Sequence, residues 1–290
     1  MSEKISLQDL QSMKERGEPI TMLTAYDYPT AVMLDRAGIE MALVGDSLGM
    51  VVHGFENTLP VTMDMMILHT QAVRRGVKRA FLVGDMPFMS YQSGFSDAMK
   101  NAGRFLSEAG ADAVKLEGGL HMATTVNTLV TAGIAVMGHI GLTPQSVSAF
   151  GGFKTQGKSA QAAHKLIDDA RALQDAGAFA LVLEAIPARL AEVISQQISI
   201  PTIGIGAGVG CDGQVLVTHD LLGLFDRHTA KFVRQYASVG EAMRGAFEQY
   251  RDDVKARAFP APEHSYAMPD DAWEAVAAGY AKAKNGAKKK

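Results

Sequence analysis

The 290-residue chain has a single cysteine, Cys211. That excludes a disulfide framework and a zinc centre built on several thiolates. No apolar run approaches the roughly 20 residues that span a bilayer. The opening Met-Ser-Glu-Lys-Ile-Ser-Leu-Gln has no secretory apolar core, so a cytoplasmic location and no membrane partner are expected. A strong charge of one sign is also missing. The 28 Lys and Arg against 31 Asp and Glu leave a net −3, so the body of the chain is not a basic nucleic-acid binder. What is present is ordinary for a folded protein. Hydrophobic residues at 47% and charged residues at 20% exclude wholesale disorder.

Eight short apolar runs stand out: Ile20–Thr24, Met41–Gly45, Ala80–Gly84, Ala113–Leu116, Ile134–Gly138, Ala180–Leu183, Thr202–Ile205 and Gln214–Thr218. Each has the length of a strand buried on both faces. Segments of helical spacing separate most of them: Thr30–Ala37, Met63–Arg75, Ser96–Ala109, His121–Ala132, Ser159–Ala176 and Ala188–Gln197. Several close on Ala-Gly, where glycine supplies a left-handed cap. Strand alternating with helix predicts a parallel sheet, and eight units in this length predict a single-domain α/β (β/α)8 TIM barrel over residues 1–266. An open doubly wound sheet is the rival. The short, glycine-rich link between the last two strands predicts a stunted or absent helix there.

Ser6–Gly17 reads as an N-terminal helix capped by Ser6, with Asp9 three residues on. Glu241–Ala258 reads as a surface helix. After the Pro260/Pro262 break, residues 267–290 form a C-terminal extension, partly helical with a frayed basic end. Gly208–Gly213 matches G-x-G-x-x-G, but a strand-like Gln-Val-Leu-Val-Thr follows where a dinucleotide fold needs a helix.

The polar residues fall at strand ends. Asp46 and Ser47 follow the second run, Asp85 the third, His139 the fifth and Glu184 the sixth; Lys115 and Glu117 lie in and after the fourth. In a barrel these ends form one mouth, where active sites lie. Lys115 and Glu117 share a face of their strand. Facing outward they would be buried under helices at considerable cost, so they are expected inward, as an internal ion pair or as part of a site. Asp46, Asp85 and Glu117 come from adjacent strands and could converge on one ion. Carboxylates without cysteine suit a hard cation such as Mg²⁺. The plainer alternative is that one of them, Asp46 above all, caps the next helix. Glu184, set in Leu-Val-Leu-Glu-Ala-Ile-Pro, suits proton abstraction, or simply meets solvent at the rim. His139 is either a donor to a substrate oxygen or a hydrogen-bonded structural residue.

Leu43–Met50, Thr58–Thr62, Gly138–Ser146 and Glu263–Ser265 together closely resemble the ketopantoate (3-methyl-2-oxobutanoate) hydroxymethyltransferase family, in order from about Ser6 to Tyr266. The resemblance implies a Mg²⁺-dependent enzyme of pantothenate biosynthesis that assembles as a homodecamer. Its substrates would be 3-methyl-2-oxobutanoate and 5,10-methylenetetrahydrofolate, and its product 2-dehydropantoate. By motif, Asp46, Asp85 and Glu117 would form the metal site and Glu184 would accept the proton. Asp46, Ser47, Asp85, Lys115 and His139 would contact substrate. Metal-assisted enolisation of an oxo acid follows from the residues alone; the folate donor follows only from the resemblance. A metal-dependent carbon–carbon lyase or aldolase on a related 2-oxo acid is the alternative, and a Schiff-base aldolase through Lys115 another. A non-catalytic barrel would be expected to lack some mouth acids.

Overall fold

The computed structural model describes residues 3–146, 155–225, 227 and 230–287, with side chains as far as 280; Lys288–Lys290, the expected frayed end, lie outside the described residues. Eight parallel strands close in chain order into a barrel: β1 Ile20–Thr24, β2 Met41–Val44, β3 Phe81–Asp85, β4 Ala113–Glu117, β5 Val136–Gly141, β6 Ala180–Glu184, β7 Thr202–Ile205 and β8 Gly213–Leu216. This is the expected (β/α)8 barrel. The helices are α1 Leu7–Arg16, α2 Tyr28–Arg36, α3 Leu48–Val51, α4 Met63–Gly76, α5 Phe95–Ser107, α6 Ala123–Thr131, α7 Ala160–Asp175, α8 Ala188–Gln197 and α9 Thr218–Leu221. As the glycine-rich link predicts, no helix stands between β7 and β8. The G-x-G-x-x-G stretch is a turn leading into β8. There Gly208 has φ +82°, and a Cβ on it would lie 2.4 Å from Ala188 Cβ, so the turn needs glycine.

Strand alternation sorts the core into two layers. Ile20, Met22, Met41, Phe81, Val83, Ala113, Met137 and Val182 fill the barrel interior. Leu82, Val114, Leu116, Leu181 and Leu183 face outward onto Val73, Phe105, Leu129 and Leu173 of the helices. Helix α1 closes the lower end: Leu10 and Met13 join the interior cluster, and Ser6 and Asp9 form the expected reciprocal capping box. Gly84 has no room for a side chain, since a Cβ would stand 2.3 Å from Phe105 Cδ1. Its bareness lets α5 pack directly against the strand that ends in Asp85.

The main departure from the expected strands is β5. It starts two residues later than the apolar run and continues to Gly141, because Met137–Gly141 pair with Ala180–Glu184. His139 is therefore inside a strand and not after it. Asp85, Glu117 and Glu184 are likewise the last residues of their strands. Pairing with a neighbouring strand, which single-strand hydropathy does not report, carries each ladder one or more residues into polar sequence.

Acids at the opposite end of the barrel have backbone work. Asp35 accepts from the N–H groups of Arg79 and Ala80, and Asp212 accepts from Thr202 N–H and the Lys14 ammonium at 2.8 Å each. The chain divides into two compact units, Met1–Ala237 and Ser238–Lys290. Within the second, α10 spans Val239–Lys255 and α11 spans Asp270–Ala287, and Tyr250 meets Phe259 edge-on. Among the described residues no helix is long and apolar enough to cross a membrane.

Candidate active site

Parity along the strands decides which polar groups enter the barrel. Lys115 and Glu117 share the inward face of β4 with Ala113, Asp85 that of β3 with Phe81 and Val83, and His139 that of β5 with Met137. Register then decides who meets whom. Asp85 pairs with Lys115 across β3 and β4, and Glu117 with His139 across β4 and β5. Accordingly Lys115 Nζ lies 2.7 Å from Asp85 Oδ1 and 3.3 Å from His139 Nδ1, while His139 Nδ1 is 3.6 Å from Glu117 Oε1. Glu184, from the end of β6, brings Oε2 to 3.2 Å from His139 Nε2, close but out of line for a hydrogen bond. All seven residues picked out in the sequence border one cavity of about 500 Å³ at the C-terminal mouth: Asp46, Ser47, Asp85, Lys115, Glu117, His139 and Glu184.

Asp46 does not cap a helix. The N-cap of the following α3 is Ser47, which makes no side-chain capping bond, and Asp46 Oδ2 instead accepts from Gln145 Nε2 at 3.0 Å. Its backbone N–H donates to Asp85 Oδ2 at 3.2 Å, which ties the two acids together. Ser47 Oγ lies 2.8 Å from the Tyr26 hydroxyl. Among the described residues, no three of His, Cys, Asp and Glu stand close enough to ligate an ion by themselves.

Crowding buried acids distorts their proton affinities. Burial, then the charge of Asp85, pushes Asp46 up to about 7. Burial also holds Glu117 well above the ordinary carboxylate range, with Asp46 and Asp85 adding to it against the pull of Lys115. For Lys115, burial favours the neutral amine, but Asp85, Glu117 and Asp46 outweigh it and keep the ammonium. His139 is pushed down by burial and by Lys115, so its ring is neutral. The ensemble is one fixed cation among buried acids that resist sharing the space. Asp85 Oδ1 is buried and has no aligned hydrogen bond.

Two residues of the site carried no signal in spacing. Gln145, in the short 3-10 turn Pro144–Ser146, and Tyr91, in the loop after β3, come from irregular segments, where neither period nor parity fixes direction. Gln145 was visible only as a polar member of the Gly138–Ser146 motif. A second, more open cleft of about 650 Å³ lies beside His121 and His164. Its charges satisfy one another: Lys165 Nζ is 2.6 Å from Asp169 Oδ2, and Asp169 Oδ1 accepts from Leu120 N–H.

The family model of ketopantoate hydroxymethyltransferase matches residues 4–262. The chain is 57% identical over 274 residues to a 3-methyl-2-oxobutanoate hydroxymethyltransferase of Carboxydothermus hydrogenoformans, an alignment covering 94% of this chain and 99% of the relative. It is 59% identical over 263 residues to the enzyme of the same name from Moorella thermoacetica, covering 91% and 98%. Among solved structures, the phosphoenolpyruvate phosphomutase of Streptomyces platensis subsp. rosaceus superposes with a TM-score of 0.60 at 13% identity, over 98% of this chain and 99% of that one, a likeness of fold. With a matching model across nearly all of the barrel and relatives of this identity along almost their whole length, the chain belongs to the ketopantoate hydroxymethyltransferase family and is a hydroxymethyltransferase.

Proposed function

We propose that the barrel mouth transfers a one-carbon unit from 5,10-methylenetetrahydrofolate to 3-methyl-2-oxobutanoate, giving 2-dehydropantoate and tetrahydrofolate. One water supplies the new hydroxyl group and balances the equation. The observation that carries this reading is the convergence of three buried acids, one ammonium, a neutral imidazole and a rim carboxylate on one cavity. Around it, the family reading implies an enzyme of pantothenate biosynthesis, cytoplasmic and assembled from ten copies.

The donor set fits Mg²⁺. Hard oxygen ligands are present without thiolates, and two of the acids are linked through the Asp46 N–H to Asp85 Oδ2 contact. Mg²⁺ takes one or two carboxylates and fills its remaining positions with water or substrate oxygens, so no cage of three protein ligands is required. Asp46 and Asp85 would hold it. Glu117 is the third acid of the cluster; its Oε2 accepts from Gln145 N–H at 3.0 Å. When bound, the ion would polarise the 2-oxo group and acidify the C3 proton.

The protein groups have distinct tasks. Glu184, with its side chain 16% exposed, can reach both cavity and solvent and is the base. It takes the C3 proton, the C–H pair forms the C2–C3 double bond as the C2–O π pair moves onto oxygen, and that C2–C3 pair then bonds C3 to the folate methylene carbon. Both C–N bonds of the methylene break with their pairs kept by N5 and N10, which take up the C3 proton and one proton of the water, while the water oxygen becomes the new hydroxyl. Lys115, kept as an ammonium, faces the negative charge that develops on the oxo acid. That charge state supports an electrostatic role over Schiff-base formation, which needs a free amine. His139 stands between Lys115 and Glu184 and can donate one N–H. Ser47 would contact the substrate, with Tyr26 fixing its hydroxyl. The cavity lies within the roughly 300–1,000 Å³ of small-molecule sites and leaves room beyond a small oxo acid for part of a second substrate.

The test is product formation from the two substrates, with Mg²⁺ and methylene-folate omitted in turn. 2-Dehydropantoate should appear only when both are present. Formation without the folate would overturn the donor assignment, and undiminished formation in chelator would overturn the metal.

A further inference from the structure

We infer that Gln145 is a positioning residue which, locked by Tyr91, aims the Asp46 carboxylate at the metal position and steadies Glu117 beside it. The inference rests on the proposed metal-dependent reading of this site.

Gln145 is 4% exposed and every polar group of its side chain is engaged. Nε2 donates to Asp46 Oδ2 at 3.0 Å and to the Met86 carbonyl at 2.9 Å. Oε1 accepts from the Tyr91 hydroxyl at 2.8 Å and from Gln92 Nε2 at 3.2 Å. The backbone N–H donates to Glu117 Oε2. One residue thus holds an oxygen of each of two acids that arise from different strands, and it does so without adding charge.

Its orientation is determined by its neighbours. Tyr91 oxygen accepts from Glu117 N–H at 3.0 Å, and of the two acceptors in reach of its one proton Gln145 Oε1 at 2.8 Å is nearer than the Glu117 carbonyl at 3.3 Å. A flipped amide would set Oε1 against the Asp46 carboxylate and the Met86 carbonyl, three acceptors together. Tyr91 therefore keeps the amide hydrogens turned toward Asp46. An apolar residue at 145 would remove that contact and leave the Asp46 carboxylate to rotate beside Asp85. Partners that orient metal ligands in this way matter for affinity: losing one typically weakens metal binding by about 10–100-fold.

The experiment measures Mn²⁺ binding to the full chain by electron paramagnetic resonance, without substrates, in the parent, Gln145→Met, Tyr91→Phe and the double variant. Thermal unfolding serves as a fold control, and kcat and KM for the oxo acid are measured alongside. Gln145→Met should bind Mn²⁺ about 10–100-fold more weakly and lose kcat while unfolding near the parental temperature. Tyr91→Phe should shift affinity in the same direction but less. The double variant should fall short of the product of the two single effects, because both act through one amide. Should Gln145→Met fail to fold, Tyr91→Phe, which keeps the ring, decides the matter. Parental Mn²⁺ affinity in the variants refutes the role of Gln145 while leaving the metal reading intact. An absence of Mn²⁺ binding by the parent refutes the metal reading, and this inference with it.

Discussion

Replacing Lys115 with methionine removes what is, among the described residues, the one buried cation beside the mouth acids. The ammonium lies 2.7 Å from Asp85, and the two side chains are 5% and 2% exposed. Methionine keeps much of the length of the side chain but leaves Asp85 uncompensated. Breaking a buried pair by removing one partner costs about 3–5 kcal/mol. At about 2–4 °C per kcal/mol for a domain of this size, the melting temperature should fall by about 6–20 °C near pH 8. The pH dependence follows from the acids. Asp46, with its folded pKa raised to about 7 against 3.8, binds a proton more tightly in the folded state. Its penalty is absent below the unfolded value and grows as pH rises through the folded one. Without the ammonium that penalty deepens, so the deficit of Lys115→Met should be largest near pH 8 and shrink near pH 5.5, where protons replace the lost charge. Calorimetry of parent and variant at both pH values measures it. A variant melting within a degree or two of the parent at pH 8, or one whose deficit grows on acidification, would refute the electrostatic account of the site.

The same crowding predicts that Asp46→Asn melts above the parent at pH 8, having lost a buried like charge, while its Mn²⁺ affinity and turnover collapse; calorimetry and metal titration together check this. Protons and metal compete for Asp46, so parental Mn²⁺ affinity should hold above about pH 7 and fall by up to about tenfold per unit below it; an affinity flat from pH 8 to 5.5 would contradict that. Gly84→Ala would drive a methyl group to 2.3 Å from the Phe105 ring. It should destabilise by about 1–3 kcal/mol and lower turnover by displacing Asp85, read by denaturant unfolding and a steady-state assay.

Much of this architecture was open to reading in the sequence because a parallel barrel writes itself in two periods. Runs such as Ile20–Thr24 and Thr202–Ile205 appear as strands with the same limits in the structure, since both faces are buried and hydropathy alone marks them. The inward placement of Lys115 and Glu117 followed from alternation. The end of β5 did not, because pairing with β6 carries it through His139 to Gly141. Gln145 and Tyr91 were not legible as parts of the site. They reach it from loops, and their contacts depend on tertiary geometry that no local period encodes.

Hydrogen–deuterium exchange at C3 of 3-methyl-2-oxobutanoate, followed by proton resonance in D₂O with no folate present, tests most directly whether this site makes a carbanion equivalent from an oxo acid. The parent should exchange the C3 proton only with Mg²⁺ present, and Glu184→Gln should abolish exchange while still binding the oxo acid. Exchange at the parental rate in Glu184→Gln, or in the parent after chelation of the metal, would contradict the account.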